Sequence, residues 1–323
     1  MTIRTSSALR RWADPAWIAR SGLAVWAIVV LLLAGLTIAD PGRFWTTASI
    51  ANVLTGMVVL GLASLGQHVV VLTGGIDLSV GSIATLAGLV TAIGINGYPI
   101  RTLPVIVAVL AGGVVVGLIH GWLIGRAGIA PFIVTLATFY ILQGVAFTIS
   151  TAPTGQVTTA LADLGLNRVG LVPLSAIVLA AGTVVVAFLL RSTAFGRHVF
   201  AVGGDPEASR AVGVPVRRTL LAAYAVSGAF AAGAGIMLAA RATVGSPTAG
   251  QGLELSAITV VVVGGTSLLG GRGRLVGTLG GAALLALVES SFVILQVSAT
   301  LNDLIRGLVI LAAAALFVSK GRL

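Results

Sequence analysis

Long apolar runs alternate with short polar interruptions along almost the whole chain. Crossing the hydrocarbon of a bilayer takes about 20 apolar residues as a helix, and we read about ten such runs. They are Gly22–Ala39, Ala48–Leu72, Leu78–Ile95, Thr102–Gly125, Pro131–Ser150, Leu171–Leu190, Thr219–Ala240, the short Leu253–Val263, Leu275–Val297 and Leu304–Ser319. Their length, with no sustained period-two alternation, predicts helices and argues against barrel strands. The longest stretches between runs are Thr151–Gly170 and Arg191–Arg218. Neither is long enough for a soluble domain, so residues 1–323 read as one transmembrane domain, with 1–21 as a lead-in and 191–218 as a loop.

Composition agrees with that pattern. Hydrophobic residues make up 57% of the chain and charged residues 9%, against about a quarter charged in soluble proteins. The expected fold is all-α and polytopic, in a cell membrane. The net charge of +10 suggests nucleic acid until its distribution is followed. Fourteen basic residues fall in segments that the span count puts on one side: Arg4, Arg10, Arg11 and Arg20; Arg126; Arg191, Arg197, Arg210, Arg217 and Arg218; Arg272 and Arg274; Lys320 and Arg322. Five fall on the other: Arg43, Arg101, Arg168, Arg241 and Arg306. This is the positive-inside asymmetry. It places both termini in the cytoplasm, requires an even number of spans, and leaves attraction to anionic lipid as the remaining role of the charge. The basic first twenty residues, with Trp12 and Trp17, read as an amphipathic cytoplasmic lead-in, since no small-residue cleavage site closes the first run as a transit signal would require.

Some chemistry is excluded. The chain has no cysteine, and His68, His120 and His198 lie far apart, so disulfides, thiol chemistry and a metal site are not expected. No catalytic constellation is visible.

The segment Gly74-Gly75-Ile76-Asp77-Leu78-Ser79-Val80-Gly81 is more informative. A carboxylate at membrane depth costs at least about 2.5 kcal/mol and marks a functional candidate. Flanking glycines suggest a broken helix, which a membrane tolerates where the backbone is buried in protein or lines a cavity. Asp77, with Ser79, either organises a pathway or only caps a half-helix. A related pattern recurs when Val71–Leu78 is aligned with Val261–Leu268, matching Gly74 to Gly264 and Gly75 to Gly265. Interrupted segments in corresponding positions can mark two related halves around a pathway.

Between Gly203 and Gly213 the chain spells one short helix with explicit ends. Asp205 suits the N-cap, Pro206 the first helical position, Glu207 the positive helix end, and Gly213 a left-handed stop. Two turns are marginal as an isolated helix, so either its own chain or a cytoplasmic partner packs on it.

Other polar residues have double readings. Glu254, at the start of the short eighth run, is a gating acid or a match to the helix dipole. Glu289 faces a pore, pairs with Arg306 or reaches water, with pairing preferred. Asn52, Gln67, Thr138 and Gln143 are candidates to hydrogen-bond a solute in the pathway or to join helices. His68 and His120 read as satisfied helix histidines, and Trp26, Trp45, Trp122, Tyr98 and Tyr140 as interface or packing residues.

Three blocks carry a family resemblance: Leu72–Ser82; Pro131–Thr138; and a third running from Gly196-Arg197-His198 through the short helix and Gly250–Ile258 to Gly264–Gly273. With them the chain resembles the permease subunit of bacterial ABC importers for ribose and related monosaccharides, over nearly all its length after the first twenty residues. The resemblance implies two permease copies, identical or related, forming the pathway. It implies two cytoplasmic ATPase subunits that hold ATP and magnesium, and an extracytoplasmic binding protein that delivers sugar. Gly204, Asp205, Pro206, Glu207, Ala208, Ser209, Arg210 and Gly213 would then form the coupling helix that enters an ATPase groove. Gly74, Gly75, Asp77, Ser79 and Glu254 would belong to the pathway or its gate, with Asn52, Gln67, Thr138 and Gln143. Ser256 stands where members often carry an acid. Relatives also carry autoinducer sugars and, more distantly, nucleosides. The single lysine, Lys320, follows no glycine-rich phosphate loop, so energy must come from another chain or an ion gradient. The rivals are therefore an ion-coupled sugar carrier and a non-transporting receptor or scaffold.

Overall fold

The computed structural model describes residues 24–294 and Gly307. In chain order the elements are α1 (Ala24–Ala39), α2 (Pro41–Phe44), α3 (Thr47–Leu72), α4 (Val80–Ile95), α5 (Pro99–Gly125), α6 (Pro131–Ile149), α7 (Thr159–Leu166), β1 (Arg168–Val169) and β2 (Val172–Pro173). They continue as α8 (Ala176–Ser192), α9 (Ala194–Gly204), α10 (Pro206–Ala211), α11 (Val216–Ala242), α12 (Leu253–Val263) and α13 (Leu275–Ile294). Five of the described helices, α3, α5, α6, α11 and α13, are long and apolar enough to cross a membrane. A sixth crossing arises if α8 and α9, bent by 74° at their junction, are one span. The helices α1, α4 and α12 are apolar but shorter. The protein is thus a mostly helical, polytopic membrane protein. The lead-in, the end of the ninth apolar run and the tenth apart from Gly307 lie outside the described residues, as does Arg306, the expected partner of Glu289.

Most boundaries follow local chemistry. Thr46 caps α3 by accepting the Ser49 N–H, and Pro99 and Pro131 open α5 and α6. One boundary fails. The sixth helix starts at Ala176, not Leu171, because Arg168–Val169 and Val172–Pro173 pair as a tight antiparallel hairpin around Gly170 at φ +63°. Apolar content alone had assigned Leu171 and Val172 to a helix, yet both are about half exposed. The segment 191–218, expected to carry one short helix, carries two. It holds α9, begun by Thr193 accepting the Gly196 N–H, followed directly by α10.

The central helix is α11, packed against α3, α4 and α5. Its closest approach is to α5, which presents Gly113, Gly117, Gly121 and Gly125 at every fourth position. A Cβ added at the first three would overlap Gly228 O, Tyr224 O and Leu221 Cα respectively. Backbones touch along this seam because small residues leave nothing between them, which is how helices associate without a hydrophobic drive from lipid. The main core joins Leu65, Val69 and Leu72 of α3 with Val80 and Ile83 of α4 and Ala231 and Ile236 of α11. A second cluster seats Val25 and Val29 of α1 on Ala283 and Leu287 of α13. Exposed apolar side chains such as Ile100, Leu103, Ile141 and Val184 cover the outward faces of α5, α6 and α8, as a lipid-facing surface requires.

Candidate functional site

Two helices end in the same way. At the end of α3, Gly74 takes φ +81°, its N–H donates to Val71 O at 2.9 Å, and Gly75 N–H reaches Val70 O at 3.2 Å. At the end of α12, Gly265 takes φ +86°, its N–H donates to Val262 O at 2.9 Å, and Thr266 N–H reaches Val261 O at 3.1 Å. Both are Schellman endings, in which a left-handed glycine lets two orphan carbonyls be satisfied. Geometrically Gly74 matches Gly265, not Gly264, so the sequence alignment of the two segments was one residue out of register. Glycine identity had guided that alignment, whereas the positive φ decides the equivalence.

Beyond Gly74 the chain turns back to Asp77, which is fully buried. Its Oδ1 accepts the Ser79 N–H at 2.9 Å and the Ser79 hydroxyl at 2.5 Å, and its Oδ2 accepts the Ser227 hydroxyl of α11 at 2.7 Å. The Gln67 amide, oriented to suit its neighbours, donates to Asp77 O at 3.0 Å and accepts Asp77 N–H at 3.2 Å. Tyr224 lies over Gly75, where an added Cβ would overlap its hydroxyl. Thr135 of α6 donates to Ile76 O at 3.4 Å. Charge and backbone are therefore satisfied by a knot linking α3, α4, α6 and α11, the condition under which a buried carboxylate is tolerated.

The expected site residues separate into groups. Gln67, Gly74, Gly75, Asp77 and Ser79 meet in the knot. Thr138 stands beside it, bonded to His120 Nε2 at 2.9 Å. Glu254, in the first turn of α12, packs over the start of α4: a Cβ at Gly81 would overlap its Oε2. Gln143 and Asn52 do not join. Gln143 donates to Pro247 O at 2.7 Å, tying α6 to the segment after α11. Asn52 is exposed on α3, about 22 Å along the helix from Gln67 at 1.5 Å per residue. For Gln143 the bond to Pro247 O fits the alternative reading of a residue that joins helices. The knot also contains Ser227, Tyr224, His120 and Thr135, which were not named as site residues. Ser227 is a lone serine in an Ala/Gly-rich helix, and only the small-residue rule for helix interfaces could have raised it. The other expected histidine, His68, is fixed through Nδ1 to Thr278 at 2.8 Å and Thr266 at 3.1 Å. Trp26 donates to Val276 O, a packing contact, while Trp45, Trp122, Tyr98 and Tyr140 are exposed.

The short helix forms as its caps demand. Asp205 Oδ1 accepts Glu207 N–H at 2.8 Å and Ala208 N–H at 2.9 Å, Pro206 occupies the first turn, and Gly213 stops the segment at φ +84°. Helix α10 is six residues long, and of the stretch Gly204–Gly213 all but Ser209 is exposed, Val212 to 79%. Its foundation is a backbone junction at the end of α9. A Cβ at Gly203 would overlap Leu72 O and Gly271 N, and one at Gly270 would meet Gly203 O and Gly74 N. Gly271 N–H donates to Leu72 O at 2.9 Å. The root of α10 is thus in backbone contact with the Schellman ending of α3 and with Gly270 and Gly271 in the segment after α12. These contacts are backbone to backbone, with no flexible side chain between them.

Comparison with known proteins gives a consistent family. Residues 49–314 match the family described as branched-chain amino acid transport system / permease component. The ribose import permease protein RbsC of Escherichia coli (strain K12) is 35% identical over 318 residues, covering 97% of this chain and 98% of that protein. RbsC of Bacillus subtilis (strain 168) is 36% identical over 303 residues, covering 91% and 90%. The fructose import permease protein FrcC of Rhizobium meliloti is 34% identical over 298 residues, covering 90% and 83%. No solved structure matches the chain. With its apolar crossing helices, the chain is a multi-pass protein of the cell membrane and belongs to this family of ABC import permeases.

Proposed function

We propose that the chain is the membrane-spanning subunit of an ATP-driven importer and forms, with a second permease copy, the pathway for a monosaccharide. Relatives named for ribose and fructose import, with a third for galactose and methyl galactoside in Haemophilus influenzae, support the substrate class. In this reading ATP and magnesium bind a separate cytoplasmic ATPase, and an extracytoplasmic binding protein supplies the sugar. There are ten spans in two related halves, both termini are cytoplasmic, Arg191–Arg218 lies inside and Thr151–Gly170 outside.

The observation that carries the coupling role is α10 itself. A six-residue helix is too short to be stable alone, yet it is capped at both ends, exposed at every residue but Ser209 and rooted on a backbone junction. It is built to be held by something outside the chain. Asp77 acts as the joint of the broken helix. Both of its oxygens are occupied within the knot, which weighs against a proton or sodium site and so against the ion-coupled carrier.

The test uses the absence of native cysteine. A single cysteine at Val212, bearing a short photo-crosslinker, should capture the ATPase subunit in membranes holding the whole importer. Capture confined to residues of the permease itself would remove the coupling role from α10.

A further inference from the structure

The ends of α5 and α11 that lie beside α10 carry a second feature. Gly121, Trp122 and Arg126 of α5 and its end face Arg217, Arg218 and Leu221 of α11 across an open cleft of about 470 Å³. A second cleft of about 310 Å³ adjoins it, lined by Arg210, Pro215, Val216, Arg217 and Arg218. The clefts lie at the end of the glycine seam, where Gly121 and Gly125 still approach Leu221 and Arg217. The two clefts share Arg217 and Arg218, so four arginine side chains line the recess they form together, and no Asp or Glu is among the lining residues. All four arginines are exposed.

We propose that this recess binds the phosphate headgroup of an anionic phospholipid. The positive charge calls for an anion, and guanidinium groups match phosphate oxygens with paired donors. What selects a lipid over a free anion is the surface directly above. Trp122 is 52% exposed one turn inside Arg126, and Ile119 and Val115, each 52% exposed, continue up α5. Indole rings favour the headgroup level, so the arginines sit where phosphates lie and the apolar stripe runs where acyl chains lie. A basic pocket between helices at this depth is a headgroup site by its chemistry. Because the recess reaches Arg210 at the end of α10, a bound lipid would brace the segment between α10 and α11. The inference depends on membrane insertion alone and stands whichever solute is carried.

The test is native mass spectrometry of the purified full-length chain in detergent, with added dioleoyl phosphatidylglycerol, dioleoyl phosphatidylcholine or inorganic phosphate. Wild type should retain phosphatidylglycerol in preference to phosphatidylcholine, and inorganic phosphate in equal amount should not displace it. The variant R126Q/R217Q/R218Q should lose that retention, by about fivefold per arginine. R126K/R217K/R218K, which keeps the charge and guards against misfolding, should keep most of it. Replacing Arg43 and Arg101, at the other end of the spans, should change nothing. Equal retention of the two lipids, or retention unchanged in the glutamine variant, would overturn the proposal. Displacement by inorganic phosphate would show an anion site without lipid selectivity, and loss of retention in the Arg43/Arg101 variant would show a nonspecific charge effect; either would overturn it too.

Discussion

Gly203 and Gly204 are neighbours in the last turn of α9, and replacing each by alanine should have opposite effects. At Gly203 the new methyl would overlap Leu72 O and Gly271 N. Those two atoms are hydrogen-bonded to each other at 2.9 Å and belong to backbone, so neither can swing aside. Overpacking costs about 1–3 kcal/mol, and opening the buried hydrogen bond adds about 1 kcal/mol, for a total of about 2–4 kcal/mol. At Gly204 nothing lies within 4 Å of an added Cβ, and alanine gains about 0.5–1 kcal/mol of helix propensity. The assay is thermal unfolding in detergent, combined with sugar moved per ATP hydrolysed in the reconstituted importer. Gly203→Ala should lower the unfolding midpoint and the transport ratio together, and Gly204→Ala should leave both at or above wild type. A Gly203→Ala protein with normal melting and normal stoichiometry would refute the junction, as would equal damage from both substitutions.

Three further outcomes follow from the same geometry. Asp77→Asn should fold and transport nearly as wild type, since an amide can still accept from Ser79 and can donate to the Ser227 hydroxyl; Asp77→Ala strands both partners and should cost about 1–3 kcal/mol for each stranded group, read as thermal stability and uptake. Pro206→Trp or Glu207→Trp, on the exposed face of α10, should leave the melting temperature unchanged while hydrolysis in the reconstituted importer no longer drives uptake. A cysteine at the exposed Ser192 should resist an impermeant reagent in intact cells, whereas one at the exposed Thr159 should react.

Much of this was legible in the residues, for identifiable reasons. Helix α10 could be read to its ends because Asp205, Pro206 and Gly213 act through local backbone chemistry, which sequence reports directly. The apolar runs located most helices because burial in lipid demands length. What escaped depended on partners distant in sequence. Ser227 lies 150 residues from Asp77, and nothing local marks it as the group that satisfies the carboxylate. The meeting of Gly203 with Leu72 and Gly271 is a tertiary contact, and in a chain with 43 glycines no single one advertises its neighbour. The hairpin at Arg168–Pro173 was hidden by the apolar character of Leu171 and Val172, where Gly170 and Pro173 were the better guides.

The central claim is that ATP hydrolysis on a partner drives a monosaccharide through this permease. Uptake of radiolabelled ribose into proteoliposomes tests it most directly, with the chain, its ATPase and its binding protein present. The account predicts uptake that requires enclosed ATP and the binding protein and persists with a protonophore. Uptake by the permease alone that collapses with the protonophore would contradict it.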